Sequence, residues 1–346
     1  MIGRVALYCG CLLLLWGTTV STTLFVPSLS FGHKLAATSA PIVNPQAPIT
    51  IKIVGDVFLG RAVERSLNAE GSDYPYLRLP PDFFVSDLAL ANFESAIPKT
   101  HEPTPDFGWR FSVRSDVLPA LKAAGVTHVS LANNHSDDFG HAGFLDTKNS
   151  LQANGITPLG DSSIATSTIH YEKIGDEHIA LVTLTTVGTE LSLAAVTKVM
   201  AAIPDDVTYT FVYLHWGEEY QTQPSPAQVR LAKELIDQGA DAIVGHHPHV
   251  IQDIGWYQGV PIFYSLGNFI FDQYFSQSVQ EGLAVSITLT SSTVQYALQA
   301  VTSVDSRHQP RLLSKAERSH FLSDLADRST STLADSITTG VILQTR

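Results

Sequence analysis

The chain has 346 residues, 44% of them hydrophobic and 16% charged, which suffices for one large α/β domain or two small ones and excludes wholesale disorder. Its 21 basic residues face 33 acidic ones, a formal net charge of −12. A balance that acidic excludes nucleic acid as a partner, because phosphate contacts need clustered Lys and Arg. It also repels anionic substrates unless a metal or a local arginine reverses the field.

Arg4 precedes an uncharged run from Val5 to Gly32, densest at Leu12–Trp16 and resumed at Leu24–Pro27. Residues 1–34 read as a signal peptide or as a signal-anchor. The short basic start suits the first, and apolar character beyond about 20 residues suits the second. Either way the protein is expected outside the cytoplasm, membrane-anchored or secreted. Both cysteines, Cys9 and Cys11, lie in this segment. The rest of the chain therefore has no disulfide framework and no thiolate metal site, and any metal must be held by His, Asp, Glu and Asn. Residues 35–49, rich in Ala, Pro and Ser, read as a linker.

From Thr50 onward short strands alternate with helices. Thr50–Val54 is an expected strand, and Asp87–Ala91 a short apolar run. Ser115–Ala124 reads as a helix closed by Gly125, and Val126–Ala132 as a buried strand. Gly140–Asn154 is an expected helix with Gly155 beyond its end. Ile169–Ile174 and His178–Leu184 flank Gly175-Asp176 as a hairpin, and Val207–Leu214 reads as a strand. Ser225–Gln238 carries the clearest helix pattern. Ser225 caps it, Pro226 opens it, and Val229, Ala232, Leu235 and Ile236 share a face. Ala242–Val244 and Val260–Ser265 read as strands, Leu283–Val304 as β-rich, and Leu313–Arg328 as a C-terminal helix. Alternation of this kind implies an α/β sandwich around a parallel or mixed sheet, here spanning 50–305 with a helix and tail at 306–346.

Functional polar residues follow apolar runs five times. They are Asp56, then Asn92-Phe93-Glu94, Asn133-Asn134-His135, His215, and His246-His247-Pro248-His249. Ligands of open α/β sheets bind outside the carboxyl ends of the strands, so these five ends can converge on one crevice. The side chains are the nitrogen and oxygen donors that Zn, Mn and Fe accept, and they point to one or two divalent ions. Each residue alone has a bland reading as a cap, a turn former or a packed histidine. Three histidines in four residues after a buried strand do not. Pro248 is expected to hold its neighbours in a stiff extended dipeptide.

Six ordered motifs carry a family resemblance. GDVFLGR (Gly55–Arg61), NFE (Asn92–Glu94), ANNHSDDFG (Ala132–Gly140), HWGEEY (His215–Tyr220), GHHPHV (Gly245–Val250) and YSLGNFIFDQ (Tyr264–Gln273) resemble the CapA family of poly-γ-glutamate capsule biosynthesis. That family is similar in fold to calcineurin-like metallophosphoesterases, which implies a four-layer α/β/β/α sandwich. The resemblance spans Thr50 to Gln273 and implies roles residue by residue. Asp56, Glu94, Asn134, His215, His247 and His249 are implied metal ligands, with Glu94 where a bridging carboxylate belongs. Asp56 and His135 are implied in catalysis, His135 as donor of the proton to the leaving oxygen. Arg61, Asn133 and His246 are expected to meet the substrate, although His246 has no counterpart in the pattern. Three departures are plain: Phe58 stands where metallophosphoesterases usually have a histidine, Gly255 where the family tends to show an acidic residue after HPHV-x-Q, and the segment from Thr186 to Val207 is short for the family. The resemblance implies a hydrolase acting on an anionic small molecule or polymer. It equally implies a non-catalytic, membrane-tethered accessory of a polymer-synthesis complex.

Overall fold

The computed structural model describes residues 47–161, 168–188 and 192–345. Residues 1–34, expected to be a targeting segment, both cysteines and the expected linker up to residue 46 lie outside the described residues. Two mixed sheets carry the fold. In the first, β1 (Ile49–Val57), β2 (Leu88–Phe93), β3 (His128–Ser130) and β4 (Thr157–Leu159) lie parallel in that spatial order. The second takes the next six strands: β5 (Ile169–Ile174), β6 (Glu177–Thr185), β7 (Tyr209–His215), β8 (Ala242–His246), β9 (Ile254–Tyr257) and β10 (Val260–Phe263). Their spatial order is β5-β6-β7-β8-β10-β9, with a parallel centre and an antiparallel pair at each edge. The chain then returns to the first sheet. There β11 (Asn268–Ile270) pairs with the end of β1, and β12 (Glu281–Leu289) lies antiparallel to β1. Next to β12 comes β13 (Thr293–Thr302), which also pairs with β14 (Arg311–Leu312) and β15 (Val341–Thr345). Two strands of this sheet, β14 and β15, thus come from the residues read as a C-terminal helix and tail.

Period-two alternation sorts the strand side chains into three apolar layers. Ile51 and Ile53 of β1, Leu88 and Leu90 of β2, and Phe211 and Tyr213 of β7 pack between the sheets. Ala89, Ala91 and Val129 face the other way, against α1 (Arg61–Glu70), α2 (Leu118–Ala123) and α3 (Gly140–Ala153) through Val63, Leu121 and Leu151. On the far side, Val182, Val212 and Ile243 meet α4 (Leu193–Met200) and α5 (Pro226–Asp237) through Val196, Ala232 and Leu235. Three apolar interfaces define four layers, α/β/β/α, as the family resemblance implies; the sequence pattern by itself implies an α/β sandwich. Central strands covered on both faces explain why β2 and β7 read as continuous apolar runs. Two further helices, α6 (Lys315–Arg328) and α7 (Ala334–Thr339), close one edge of the inter-sheet layer with Leu322, Leu325 and Ile337.

Local chemistry sets the element ends. Ser225 and Gln228 form a reciprocal capping box at the start of α5, and Ser314 and Glu317 do the same for α6. The helix expected from Ser115 begins as a 3₁₀ turn and becomes α-helical at Leu118, where Pro119 suits the first turn. The strand expected over Val126–Ala132 contracts to His128–Ser130, since Ser130 Oγ accepts the Ala132 N–H and turns the chain.

Candidate metal centre

The carboxyl ends of β1, β2, β7 and β8 meet because one connecting segment crosses both sheets. Residues 264–268 run over the strand ends, where Asp56 N–H donates to Gly267 O and Leu266 N–H donates to Gly245 O, each at 3.0 Å. Two glycines admit this crossing. A Cβ on Gly55 would lie 2.0 Å from Gly267 O, and one on Gly245 would lie 2.0 Å from Tyr264 O. The polar residues that follow these glycines, Asp56 and His246, are consequently pressed together with the other strand ends.

Asp56 and Glu94 form the buried centre. Asn92 Nδ2 donates to Asp56 Oδ1 at 2.8 Å and lies 3.3 Å from Glu94 Oε2. His246 Nδ1 and His249 Nδ1 each approach an Asp56 oxygen at 3.3 Å. Glu94 Oε1 faces His249 Nε2 at 3.6 Å and His215 Nε2 at 4.0 Å, and it has no hydrogen-bond partner. His215 Nε2 donates to Asn134 Oδ1 at 2.7 Å. The His247 ring lies 4.7 Å from that of His215, and its buried Nδ1 is unpartnered. Ligand atoms of Asp56, Glu94 and His215 fall within 4.8 Å of one another, as do those of Glu94, His247 and His249. Glu94 belongs to both groups.

Charge in this cluster is poorly balanced without a cation. Burial pushes the Asp56 carboxyl up, yet His246 and His249 outweigh it and hold the group well below the ordinary carboxylate range. Burial raises Glu94 well above that range, with Asp56 and Glu219 adding to it against the pull of His249. His249 overcomes its burial through Glu94 and Asp56 and rises to about 9. Burial lowers His247 to about 4 and His215 well below the usual imidazole value, so both rings present neutral nitrogens. Two buried carboxylates facing three imidazoles, with an orphaned oxygen and an orphaned nitrogen, are a donor set that fits a divalent ion.

The backbone also departs from the extended expectation at His247-Pro248-His249. His247 has φ +95° and His249 φ +58°, conformations that cost non-glycine residues free energy and gather at functional sites. This geometry turns both rings toward Glu94 from either side of Pro248.

His135 stands beside this cluster. Its Nδ1 lies 2.9 Å from Asp138 Oδ2, and its ring stacks on Phe111 at 3.7 Å. It lines a cleft of about 490 Å³ together with Arg61, His249, Tyr220 and Phe275. Phe58, in the place of the missing histidine, is buried and stacks on Phe111 at 4.3 Å, so it extends an aromatic wall. A larger cavity of about 740 Å³, beside Trp216 and α5, contains none of the strand-end donors.

Two residues expected to meet substrate are placed elsewhere. Asn133 is fully buried, with Nδ2 donating to Phe93 O and Asn92 Oδ1 while its Oδ1 accepts the His135 N–H. It braces the loop. His246 is equally buried and stacks on Tyr213 at 4.3 Å, behind Asp56. Arg61 does reach the cleft, but its guanidinium is held bidentately by Asp272 and lies over Phe58 and Phe111. Sequence reasoning left Asn92, Asp138, Asp272 and Asn268 without roles. Asn268 Oδ1 lies 3.0 Å from His249 Nδ1. Only membership of the strings NFE, ANNHSDDFG and YSLGNFIFDQ, which carry the family resemblance, could have drawn attention to them.

The layers and the site together define the class: a four-layer α/β/β/α protein whose strand ends gather carboxylates and imidazoles able to bind a divalent metal. Residues 50–273 match the family described as Bacterial capsule synthesis protein PGA_cap, and the chain belongs to that family. It is 32% identical over 273 residues to capsule biosynthesis protein CapA of Bacillus anthracis, covering 72% of this chain and 64% of that one. It is 32% identical over 271 residues to PGA biosynthesis protein CapA of Bacillus subtilis, covering 72% and 68%. The chain thus spans about two thirds of the length of these relatives. A probable polyglutamine synthesis accessory protein of Mycobacterium tuberculosis is 27% identical over 314 residues, covering 72% and 81%. Among solved structures, a putative 5'-nucleotidase of Staphylococcus aureus shares 12% identity at a TM-score of 0.47, covering 81% of this chain and 58% of that one. A novel phosphatase of Mycoplasma pneumoniae shares 14% identity at 0.44, covering 77% and 91%.

Proposed function

We propose that the chain is an extracytoplasmic, metal-dependent hydrolase acting in the synthesis or processing of a cell-envelope anionic polymer of the poly-γ-glutamate type. The observation that carries this reading is the buried Glu94 oxygen, orphaned between His215, His247 and His249. Asp56, Glu94, Asn134, His215, His247 and His249 would hold one or two ions of Mn, Zn or Fe, with Glu94 common to both sets. An ion bound there supplies Lewis acidity and makes water a stronger nucleophile near neutral pH. The protein supplies the rest. Asp138 Oδ2 accepts the Nδ1–H of His135 and fixes the ring, so that the doubly protonated imidazole would give its Nε2 proton to the leaving oxygen as its bond breaks and remain as the neutral Nδ1–H form. Phe111 holds the same ring by stacking, and Phe58, Phe111 and Phe271 screen this wall from water.

The relatives' names support polymer biosynthesis as the setting, and the uncharged run after Arg4 supports export. Among the described residues no helix is long and apolar enough to cross a membrane. Hydrolysis of p-nitrophenyl phosphate that requires added Mn or Zn, and stops on chelation, is the expected result for purified protein. A second reading, a polymer-binding accessory without turnover, draws on the exposed rings of Phe107, Trp109 and Phe275 around the cleft and on the name of the Mycobacterium relative. No hydrolysis under any metal, together with loss of polymer from cells lacking the protein, would favour that second reading.

A further inference from the structure

The apolar layer between the sheets has two edges. One lies beside β9 and is closed by α6 and α7. At the other, β3 and β4 of the first sheet approach β5 of the second, and the closing groups are polar. His128 reaches across from β3 to His170 and Glu172 on β5. His128 Nε2 lies 3.0 Å and His170 Nε2 2.7 Å from the same oxygen, Glu172 Oε1. We propose that His128, His170 and Glu172 form a second divalent-cation site, of a kind suited to Zn²⁺, that clips the two sheets together at this edge.

Three features carry the assignment. The donors are two imidazoles and a carboxylate, all ligand atoms falling within 4.8 Å of one another. Ligands on one tetrahedral zinc ion are about 3.3 Å apart, so the imidazole–carboxylate separations of 3.0 and 2.7 Å need open only slightly to share an ion, while the two imidazole nitrogens already lie within 4.8 Å of each other. The second ring nitrogen of His128 is anchored. Its Nδ1 lies 2.7 Å from Thr127 Oγ1, which donates to Ala89 O at 3.2 Å and accepts the Ala89 N–H at 2.9 Å. With the hydroxyl proton directed to Ala89, Nδ1 of His128 carries the ring proton, and Nε2 turns a lone pair toward the Glu172 oxygen. A cation between them converts that repulsion into two bonds, and Thr127 acts as the outer partner that orients the ligand. Finally, His128 is buried while the His170 and Glu172 side chains are 32% and 29% exposed, which leaves a path for the ion and room for a water ligand. None of the three residues belongs to the strand-end centre, and ligands drawn from two different sheets leave no motif in the sequence.

The test is Zn²⁺ titration of the chelated full chain, read by metal analysis and by thermal melting. Wild-type protein is expected to bind one equivalent beyond the strand-end centre, and its melting temperature to rise as that equivalent is filled. His170→Ala and Glu172→Gln, both at partly exposed positions, should each lose that equivalent and its share of the rise while keeping the strand-end metal. Thr127→Val should weaken the same equivalent by roughly 10–100-fold. His247→Ala should show the converse, losing strand-end metal and keeping this one. If His170→Ala and Glu172→Gln bind Zn²⁺ with wild-type stoichiometry and Kd, or wild type has no such equivalent, Glu172 merely accepts two imidazole N–H bonds and the proposal is wrong.

Discussion

Replacing His135 with alanine should separate proton transfer from metal retention. The ring touches Asp138 and Phe111, and His135 is not among the grouped ligand atoms of Asp56, Glu94, His215, His247 and His249. Its removal forfeits a stacked pair, worth about 0.5–1.5 kcal/mol, and a partly buried hydrogen bond of similar size. The protein should therefore lose about 1–3 kcal/mol and stay folded, since domains of this kind hold about 5–15 kcal/mol. Turnover should fall by about 10²–10⁴, the usual contribution of a positioned acid. Asn134→Ala differs in kind, because it strips the acceptor 2.7 Å from His215 Nε2 and should weaken metal retention and activity together. The assay pairs metal content with hydrolysis of p-nitrophenyl and phenyl phosphates. The His135→Ala deficit should shrink for p-nitrophenolate, which leaves without a proton. Loss of metal from His135→Ala as severe as from Asn134→Ala would refute the division of roles.

His308 offers a pH test away from the metal cluster. Burial pushes its ring down to about 4, whereas the unfolded chain titrates near 6.5. The folded state prefers the neutral ring, so the stabilisation is complete above about pH 6.5 and is lost as pH falls toward 4, on the order of 2–3 kcal/mol. Urea unfolding at pH 7 and 4.5 should show this loss, and His308→Asn, which tolerates the φ of +63° there, should reduce it; an unchanged pH slope would count against the argument. Gly245→Ala would place Cβ 2.0 Å from Tyr264 O and 2.3 Å from Trp216 Nε1, disturbing the 2.8 Å bond between them. It should cost about 3 kcal/mol or more and lower metal content by displacing His246 and His247; a wild-type melt would show that the crossing segment yields freely. A reporter fused after residue 49 should be exported, and its accumulation in the cytoplasm would defeat the targeting argument.

What could be read in the sequence was whatever has a local cause. Apolar runs broken by Asp56, Glu94, His215 and His247 mark strands that end at a site, and the structure brings those ends together. The helix at Ser225 was legible because cap, proline and apolar face all agree. α1 was not, since only Val63, Glu64 and Leu67 of its ten residues are buried. β15 depends on pairing with residues 44 to 52 positions earlier, which no local pattern encodes. Arg61 shows the same limit: its partner Asp272 lies 211 residues away, so a free anion-binding guanidinium could not be told from a paired one. Asn133 and His246 were assigned to substrate by proximity in sequence. At the end of a strand adjacent side chains diverge, and both point into packed surroundings.

The central claim is that Asp56, Glu94, Asn134, His215, His247 and His249 build one metal centre, and metal stoichiometry tests it most directly. The measurement is elemental analysis of purified protein in the His170→Ala background, so that the inter-sheet site does not contribute. That protein should retain one or two equivalents of Mn, Zn or Fe. Glu94→Gln and His247→Ala should each reduce the content at least about tenfold, and His246→Ala, whose ring lies behind Asp56 against Tyr213, far less. Undiminished metal in both Glu94→Gln and His247→Ala, or equal losses at His246 and His247, would contradict the account.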